Sequence, residues 1–230
     1  MKKVITIAIT ICLLLGSIPA FAQYDGEILF RDIPWDTPAL EYEKQIYQGI
    51  GWNYTDSMLR DNNASIGMAG WRKYGEKLKD IPAKTLMAMG SAYVAGCRII
   101  RISGVAFPLV ENGIVGNRMN DYRFAEVSYH FVFDLSDPDA LGYDDLLAKL
   151  VGLYGDYTEC PEQDDKAFAT TPIKWTGANG TSLTLYHSAQ SETSQYDSCT
   201  LAYGYDDISG WLEMISNPKS TIDTGSTDGL

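Results

Sequence analysis

Residues 126–133 have the sequence Glu-Val-Ser-Tyr-His-Phe-Val-Phe, in which large apolar side chains alternate with smaller or polar ones. Because successive side chains of a β-strand point to opposite faces, this period of two predicts a strand. The large apolar side chains on one face are Val127, Tyr129, Phe131 and Phe133. The opposite face carries Glu126, Ser128 and His130, so we expect an antiparallel sheet with one face on the core and the other toward water.

The sequence after this strand predicts a helix and then more strands. Residues 137–139, Asp-Pro-Asp, interrupt the strand pattern. Apolar residues then recur at helical spacing over residues 143–154, and Gly155 ends the helix. Residues 177–180, Gly-Ala-Asn-Gly, are typical of a tight hairpin turn. The remaining predicted elements are strands over residues 173–176, 182–187 and 199–205 and a short amphipathic helix over residues 208–215.

The sequence before the central strand has weaker patterns. Residues 36–38, Asp-Thr-Pro, provide a capping residue and a first-turn proline for a helix that continues to about Tyr47. Residues 111–113, Glu-Asn-Gly, predict a turn. Residues 49–82 show no clear period apart from one or two helical turns over residues 71–78. The strands predicted in this part cover residues 27–30, 93–102 and 105–110.

Together these elements predict an α+β fold, an antiparallel sheet with helices packed on one face. Strands outnumber helices, and most neighbouring strands are joined by turns rather than by helical crossovers. We expect residues 23–216 to form a single domain, and the order of elements leaves open a division into two related halves. Residues 217–230 are small and polar, so they are predicted to form a disordered tail.

The N-terminus has the three parts of a secretory signal peptide. Lys2 and Lys3 precede an uncharged apolar run over residues 4–15, and residues 19–22, Pro-Ala-Phe-Ala, form a cleavage site. The apolar run is shorter than the roughly 20 residues that a membrane-spanning helix needs. Cys12 lies inside the run rather than after the cleavage site, so lipid anchoring is not expected. The sequence therefore predicts cleavage after residue 22, a secreted or extracytoplasmic location, and no stable membrane anchor.

The charge of the chain argues against a polyanionic partner. The full chain has 30 acidic residues and 18 basic residues. Loss of residues 1–22 removes two of the basic residues and none of the acidic ones, which leaves 16 against 30 and a net charge of −14. The densest basic stretch, residues 72–79, is flanked and interrupted by acids. Nucleic acid is therefore excluded as an expected partner.

Three cysteines remain after the signal peptide: Cys97, Cys160 and Cys199. Export permits disulfides, but an odd number leaves at least one thiol unpaired in a monomer. Cys160 and Cys199 flank the predicted C-terminal hairpin and are the candidate pair. A chain of this length does not depend on a disulfide for stability.

Several stretches of the chain resemble a family of uncharacterised exported proteins from gut Firmicutes. They are Phe-Arg-Asp-Ile-Pro-Trp at residues 30–35, the helix at 143–155 with its Leu-Tyr-Gly ending, the hairpin that contains Trp175, and Ser-Thr-Asp-Gly-Leu at 226–230. This resemblance implies a bacterial origin and export, with no assigned activity. The helix-plus-sheet design is also loosely similar to β-lactamase-inhibitor-like domains, which implies a role in binding.

Common catalytic motifs are absent from the sequence. It has no Gly-x-Ser-x-Gly, no His-Glu-x-x-His, no phosphate-binding loop and no complete Gly-x-Gly-x-x-Gly. Both histidines, His130 and His187, fall on predicted strands, where we expect exposed positions. A nucleophilic pair of histidine and cysteine remains a minor alternative, because no cysteine lies in a catalytic motif.

Two clusters of acidic residues could carry chemistry. Asp134, Asp137 and Asp139 are weak candidates for a calcium site, but the residue that an EF-hand starting at Asp137 would need as its last ligand is Ala148. Asp144 and Asp145 are weak candidates for the paired carboxylates of a glycan hydrolase. Acids near the N-terminus of the predicted helix are favoured electrostatically, so a structural role for this second cluster is preferred. No metal and no cofactor are expected.

Aromatic residues on the predicted strands are the remaining candidates for a binding surface. Exposed rings on a sheet can stack on sugars or anchor a protein interface. The candidates are Tyr122, Phe124, Trp175, Tyr186, Tyr203 and Tyr205. The leading hypothesis is an exported, acidic, non-catalytic binding or accessory protein with a protein or glycan partner. The alternative is an extracellular, carboxylate-dependent glycan hydrolase.

Overall fold

The computed structural model of the protein describes residues 24–61, 83–111, 114–137, 140–161, 168–188 and 196–205. Four sequence predictions lie outside these residues. They are the signal peptide at residues 1–22, the helical turns at 71–78, the short helix at 208–215 and the tail at 217–230.

The described residues form an α+β fold around an eight-stranded antiparallel sheet. Its long strands are β2 (Lys84–Val94), β3 (Cys97–Pro108), β6 (Tyr122–Asp134), β9 (Thr181–His187) and β10 (Tyr196–Tyr205). Its short strands are β1 (Arg60–Asp61), β7 (Thr158–Glu159) and β8 (Ile173–Thr176). The order across the sheet is β1-β2-β3-β6-β10-β9-β8-β7. A separate two-stranded sheet pairs β4 (Val110–Glu111) with β5 (Ile114–Val115), on either side of the predicted turn.

Two helices precede the two sets of strands. Helix α1 (Ala39–Ile50) comes before β1, and helix α2 (Tyr143–Tyr154) comes before β7. The chain therefore runs from a helix through a two-residue strand to longer strands twice, and the last strands of the two runs, β6 and β10, pair at the centre of the sheet. Gly51 ends α1 in a left-handed conformation with φ of 73°, which a side chain would disfavour.

The predicted strand over residues 93–102 is wrong. The structure places a tight turn at Ala95 and Gly96, both with positive φ, between β2 and β3. The mostly apolar stretch is made of the ends of two antiparallel strands rather than of one continuous strand. Residues 27–30, also predicted as a strand, lie outside the sheet, and residues 30–32 form a 3-10 turn.

Aromatic rings form much of the core on one side of the sheet, the aromatic face, which carries Val127, Tyr129, Phe131 and Phe133 as predicted. Tyr42 of α1 packs on Phe124 of β6, with ring centroids 5.1 Å apart. Phe30 packs on Tyr129 at 4.5 Å, and Tyr154 of α2 lies 6.4 Å from Trp175 of β8. Such tilted contacts between buried and half-buried rings add to the free energy of apolar burial.

The opposite, polar face is not turned toward water at its centre, which corrects the expectation from the alternating pattern. Glu126, Ser128 and His130 of β6 are all buried, and so are Ser103 of β3 and Thr184 of β9. A buried polar side chain is tolerated when it has hydrogen-bond partners, and the neighbouring strands supply them here. His130 is also not at the exposed position that the strand pattern predicted.

Neither described helix has the length and apolar character needed to cross a bilayer.

Candidate functional site

An open cleft of about 650 Å³ lies beside the junction of β6 and β10. Its volume is in the range of small-molecule binding sites. Its polar lining residues are Arg31, Asp32, Gln45, Gln48, Tyr129, Tyr154 and Tyr203. Both runs of the chain contribute, since α1 supplies the glutamines and β6 supplies Tyr129, whereas α2 and β10 supply Tyr154 and Tyr203.

Arg31 and Asp32 have an unusual backbone conformation. Their φ angles are 56° and 59°, in the left-handed region that residues other than glycine rarely adopt. Such conformations cost on the order of 1–3 kcal/mol each and concentrate at functional sites. The strained backbone presents a guanidinium and a carboxylate from consecutive residues to the same cleft.

The Arg31 guanidinium is held at two points. Its Nη1 donates to the hydroxyl of Tyr129 at 3.3 Å, and its Nη2 donates to the backbone carbonyl of Gly49 in α1. A Cβ atom at position 49 would collide with Arg31 Nε, so the glycine makes room for the guanidinium. Arg31 is thus fixed by both the sheet and α1 before any ligand binds.

Three tyrosines line the cleft from the sheet and α2. The rings of Tyr129 and Tyr203 meet edge to face at 6.2 Å, and a hydrogen bond joins the hydroxyls of Tyr154 and Tyr203. Burial raises the pKa of all three phenols. They are therefore neutral groups that can donate and accept hydrogen bonds.

The charges of the cleft balance. Arg31 and Asp32 bring one positive and one negative charge, and the other described lining residues are uncharged. Amides and hydroxyls both donate and accept, which suits a neutral, hydroxyl-rich ligand better than an ion.

The predicted aromatic surface is distributed over different environments. Tyr122, Phe124, Trp175 and Tyr186 are buried, with Trp175 only 1% exposed. The indole Nε1 of Trp175 donates to the carbonyl of Gly155 at 2.9 Å. The structure therefore gives these rings packing roles in the protein interior.

Tyr203 and Tyr205 are partly exposed. Tyr203 lines the cleft, whereas Tyr205 stacks on Trp35 with the ring centroids 6.3 Å apart. Among the aromatic candidates from the sequence, Tyr203 is the one that the structure places in the cleft.

The candidate hydrolytic carboxylates are elsewhere. Asp144 and Asp145 are exposed in the first turn of α2. Asp145 Oδ2 accepts a hydrogen bond from the backbone N–H of Gly142 at 2.8 Å and so caps the helix. Neither residue lines the cleft.

The acidic candidates for calcium make local contacts. Asp134 Oδ1 accepts hydrogen bonds from the backbone N–H and the hydroxyl of Ser136, at 2.9 Å and 2.6 Å. These bonds lower the pKa of Asp134. Asp137 is exposed, and Asp139 lies outside the described residues. Over the described ranges no three histidine, cysteine or acidic side chains are grouped as a metal site would require.

The cysteines are free thiols in the structure, in place of the expected bridge between Cys160 and Cys199. All three are buried. Burial raises the pKa of Cys97 and Cys199, so neither is a thiolate at neutral pH.

His130 and Ser103 form a close pair on the polar face. His130 Nε2 lies 2.6 Å from the Ser103 hydroxyl, and Nδ1 lies 2.9 Å from Arg101 Nη2 and 3.1 Å from the Thr200 hydroxyl. Arginine can only donate, so Nδ1 must be the acceptor and Nε2 must carry the proton. The imidazole therefore donates to the serine oxygen and cannot act as its general base, which makes the pair structural.

His187 forms a second pair, on the aromatic face. Its Nε2 lies 2.9 Å from both carboxylate oxygens of Asp197, and its ring stacks on Tyr143 at 3.9 Å. Cys199 lies directly opposite His187 in the β9–β10 register. However, the buried Nδ1 of His187 has no hydrogen-bond partner among the described residues, and burial raises the pKa of the Cys199 thiol, which is therefore protonated. The arrangement therefore lacks the activated nucleophile of a Cys–His–Asp site.

No family model, curated protein or solved structure gives a significant match to the chain.

Most of the cleft was not apparent from the sequence. Arg31 and Asp32 come directly after residues 27–30, the predicted strand, and Gln45 and Gln48 are ordinary residues of an amphipathic helix. The available signal was the Phe-Arg-Asp-Ile-Pro-Trp stretch at residues 30–35, which contains both strained residues.

Proposed function

We propose that the protein is an exported, non-catalytic binding protein whose cleft takes a short, neutral oligosaccharide. The observation that carries this proposal is the convergence of Arg31, Asp32 and the Tyr154–Tyr203 pair in one cleft of about 650 Å³. A sugar ring presents hydroxyl groups at its edge and C–H groups on its faces. The polar groups of the cleft can hydrogen-bond to the hydroxyls, and its aromatic rings can pack on the C–H faces.

The cleft favours binding over hydrolysis. Glycoside hydrolysis generally needs two carboxyl groups, separated by about 5–9.5 Å across the bond that is cut. Asp32 is the one acid among the described residues that line the cleft. With a single carboxylate, the described residues can hold a saccharide but lack the second group for the reaction.

We further infer that both helices pack on the aromatic face and that the chain consists of two related halves. Tyr42 of α1 touches Phe124 in β6, and Tyr154 of α2 touches Trp175 in β8. In the sheet register, Trp175 of β8 lies opposite Leu183 of β9, and Leu183 lies opposite Tyr203 of β10. These three residues are therefore on the same face of the sheet. The cleft would then lie between the two helices at the junction of the halves, a common position for ligand sites.

A glycan array with bacterial cell-wall and plant-derived oligosaccharides, followed by calorimetry on the best ligand, tests this function. Gln48→Ala and Tyr203→Phe should each weaken binding by about 2- to 13-fold, the equivalent of one lost hydrogen bond of roughly 0.5–1.5 kcal/mol. The double variant Asp144→Asn and Asp145→Asn is the matched control, because both acids lie outside the cleft. It should bind as the unaltered protein does.

Two results would overturn the proposal. One is the absence of binding across the array. The other is equal affinity of the cleft variants and the control for a ligand that does bind, which would place the binding site elsewhere. Release of reducing sugar from any bound oligosaccharide would favour the hydrolase instead.

A further inference from the structure

Three exposed methionines lie near one another in the sequence of the first two strands. Met87 and Met89 of β2 are 41% and 66% exposed, and Met58, just before β1, is 40% exposed. The remaining methionine of the described residues, Met119, packs against the core. Single apolar side chains at a protein surface are common, whereas a group of them calls for a reason.

Met87 and Met89 are neighbours on the polar face of the sheet. Strand β2 pairs with β3 without interruption from Lys84 to Met89, so the alternation of side chains holds over this stretch. Leu86 and Ala88 are buried in the core, and the two methionines therefore point to the other face. At about 3.4 Å per residue, their Cβ atoms are roughly 7 Å apart. The methionine side chain is long and flexible, so both sulfur atoms can reach an ion placed between them.

The approach to β1 brings Met58 to the same place. The register of the β1–β2 pair, continued two residues back along β1, places Met58 opposite Met87. Leu59 and Leu86, which that register also opposes, are both buried in the core as it requires. The backbone N–H of Met58 donates to Oε1 of the fully buried Glu43 at 2.6 Å, so α1 fixes this residue in position. Opposed residues of an antiparallel pair have Cβ atoms about 4.5–5.5 Å apart, within reach of a shared ion.

We propose that the sulfur atoms of Met58, Met87 and Met89 form a binding site for a soft monovalent cation, Cu(I) or its analogue Ag(I). Thioethers select such ions over Mg²⁺, Ca²⁺ and Mn²⁺, which prefer oxygen ligands. Arg101 lies opposite Met89 on β3, and its positive charge disfavours a divalent ion more than a monovalent one. The ligand type and the neighbouring charge therefore both favour a soft ion of low charge.

The other soft ligands of the described residues are not available at this surface. Thiolates also bind soft ions, but the thiols of Cys97, Cys160 and Cys199 are all buried. His130 is on the same face, yet both of its ring nitrogens have hydrogen-bond partners. The three methionines do not line the cleft, so this site is independent of the proposed oligosaccharide binding.

Titration of the purified protein with silver nitrate in chloride-free buffer, followed by NMR of ¹³C-labelled methionine methyl groups, tests the site. Equimolar Ag(I) should shift the methyl signals of Met58, Met87 and Met89. Met87→Leu with Met89→Leu should abolish this binding. Met58→Leu should weaken it at least about tenfold, since even residues that only support a metal ligand contribute that much. The control Met119→Leu removes a sulfur outside the site and should bind as the unaltered protein does.

The pH dependence separates thioethers from other ligands. A thioether carries no proton, so the affinity should be equal at about pH 6 and about pH 8, whereas a thiol or imidazole site would weaken at the lower pH. His130 stays neutral over this range, because its pKa is lowered to about 3. The neighbouring charged residues of the three strands stay ionised and add no pH dependence; they are Arg60, Asp61, Lys84 and Arg101.

Three results would overturn the proposal. The first is the absence of Ag(I) binding, and the second is full affinity of the Met87–Met89 double variant. The third is loss of the folded state without shifts of the methionine methyl signals, which would place Ag(I) on the buried cysteines. Full affinity of Met58→Leu alone would overturn the three-ligand site. Leucine keeps the apolar character of these exposed positions, and unchanged circular dichroism would show that the variants fold.

Discussion

Replacement of His130 by glutamine should make the protein less sensitive to acid. Burial and the neighbouring Arg101 guanidinium lower the pKa of His130 to about 3, from an ordinary value of 6.5. A histidine that is kept neutral by the fold contributes stability above its unfolded pKa. That contribution is lost as the pH falls from 6.5 toward 3, because the unfolded state binds a proton that the folded state does not.

The size of this effect follows from the two pKa values. Each pH unit below 6.5 costs about 1.4 kcal/mol, so the His130 term removes about 2 kcal/mol of stability by pH 5. The glutamine keeps both hydrogen bonds, since its oxygen can accept from Arg101 and its amide can donate to Ser103. It has no proton to gain in this range.

Urea unfolding at about pH 7.5 and pH 5 measures the difference. Other groups titrate equally in both proteins, so the variant should lose about 2 kcal/mol less stability than the unaltered protein between these two conditions. Nitrogen NMR of the imidazoles adds a direct test, because the chain has just two histidines.

Equal acid sensitivity of the two proteins, or a His130 ring that titrates near its ordinary pKa, would refute the burial argument. A protonated Nδ1 at neutral pH would refute the tautomer assignment. In that case His130 could accept the Ser103 proton, and the pair would again be a candidate for nucleophilic catalysis.

Three further substitutions separate packing from binding. Trp175→Ala should lower the free energy of unfolding in urea by about 3–5 kcal/mol because the indole is buried. Tyr157→Ala removes a neighbouring exposed ring and should lower it far less. Similar losses in the two variants would contradict the packing role of Trp175. Gly49→Ala should change Tm little, because the roughly 1 kcal/mol that alanine adds to helix stability offsets the hydrogen bonds lost when the new Cβ displaces Arg31. It should weaken oligosaccharide binding in calorimetry, and full affinity would show that the guanidinium position is unimportant. Tyr42→Phe should be neutral or stabilising by thermal unfolding, since the buried hydroxyl has no hydrogen-bond partner in the part of the chain that the structure describes. A loss of over about 1 kcal/mol would reveal a further partner for the hydroxyl.

The sequence predicted the elements whose patterns are local. The alternation around Tyr129 gave β6, the helical spacing after Tyr143 gave α2, and the Gly-Ala-Asn-Gly turn at residues 177–180 gave the β8–β9 hairpin. In the structure Asn179 and Gly180 have φ angles of 54° and 73°, as such a turn requires. These features depend on neighbouring residues alone, which is why a single sequence suffices for them.

Burial of the polar face depends on partners that are distant in sequence. His130 meets Ser103 on β3 and Thr200 on β10, which are 27 and 70 residues away. Apolar and polar residues alternate in the same way whether the polar face of a strand is exposed to solvent or is buried and hydrogen-bonded. The distinction lies in the pairing register, which a pattern within one strand does not contain.

The cleft depends on the same long-range pairing and on backbone strain. Positive φ at Arg31 has no simple sequence signal, because arginine disfavours it, and Asp32 belongs to a residue type that adopts it more often but still in a minority of cases. The strain is stabilised from outside the turn, by the hydrogen bonds from Arg31 to Tyr129 on β6 and to Gly49 on α1. The hydroxyl pair of Tyr154 and Tyr203 joins the second run of the chain to the same cleft. The two walls of the cleft are brought together by the β6–β10 pairing, so the cleft can form only where the two runs of the chain meet.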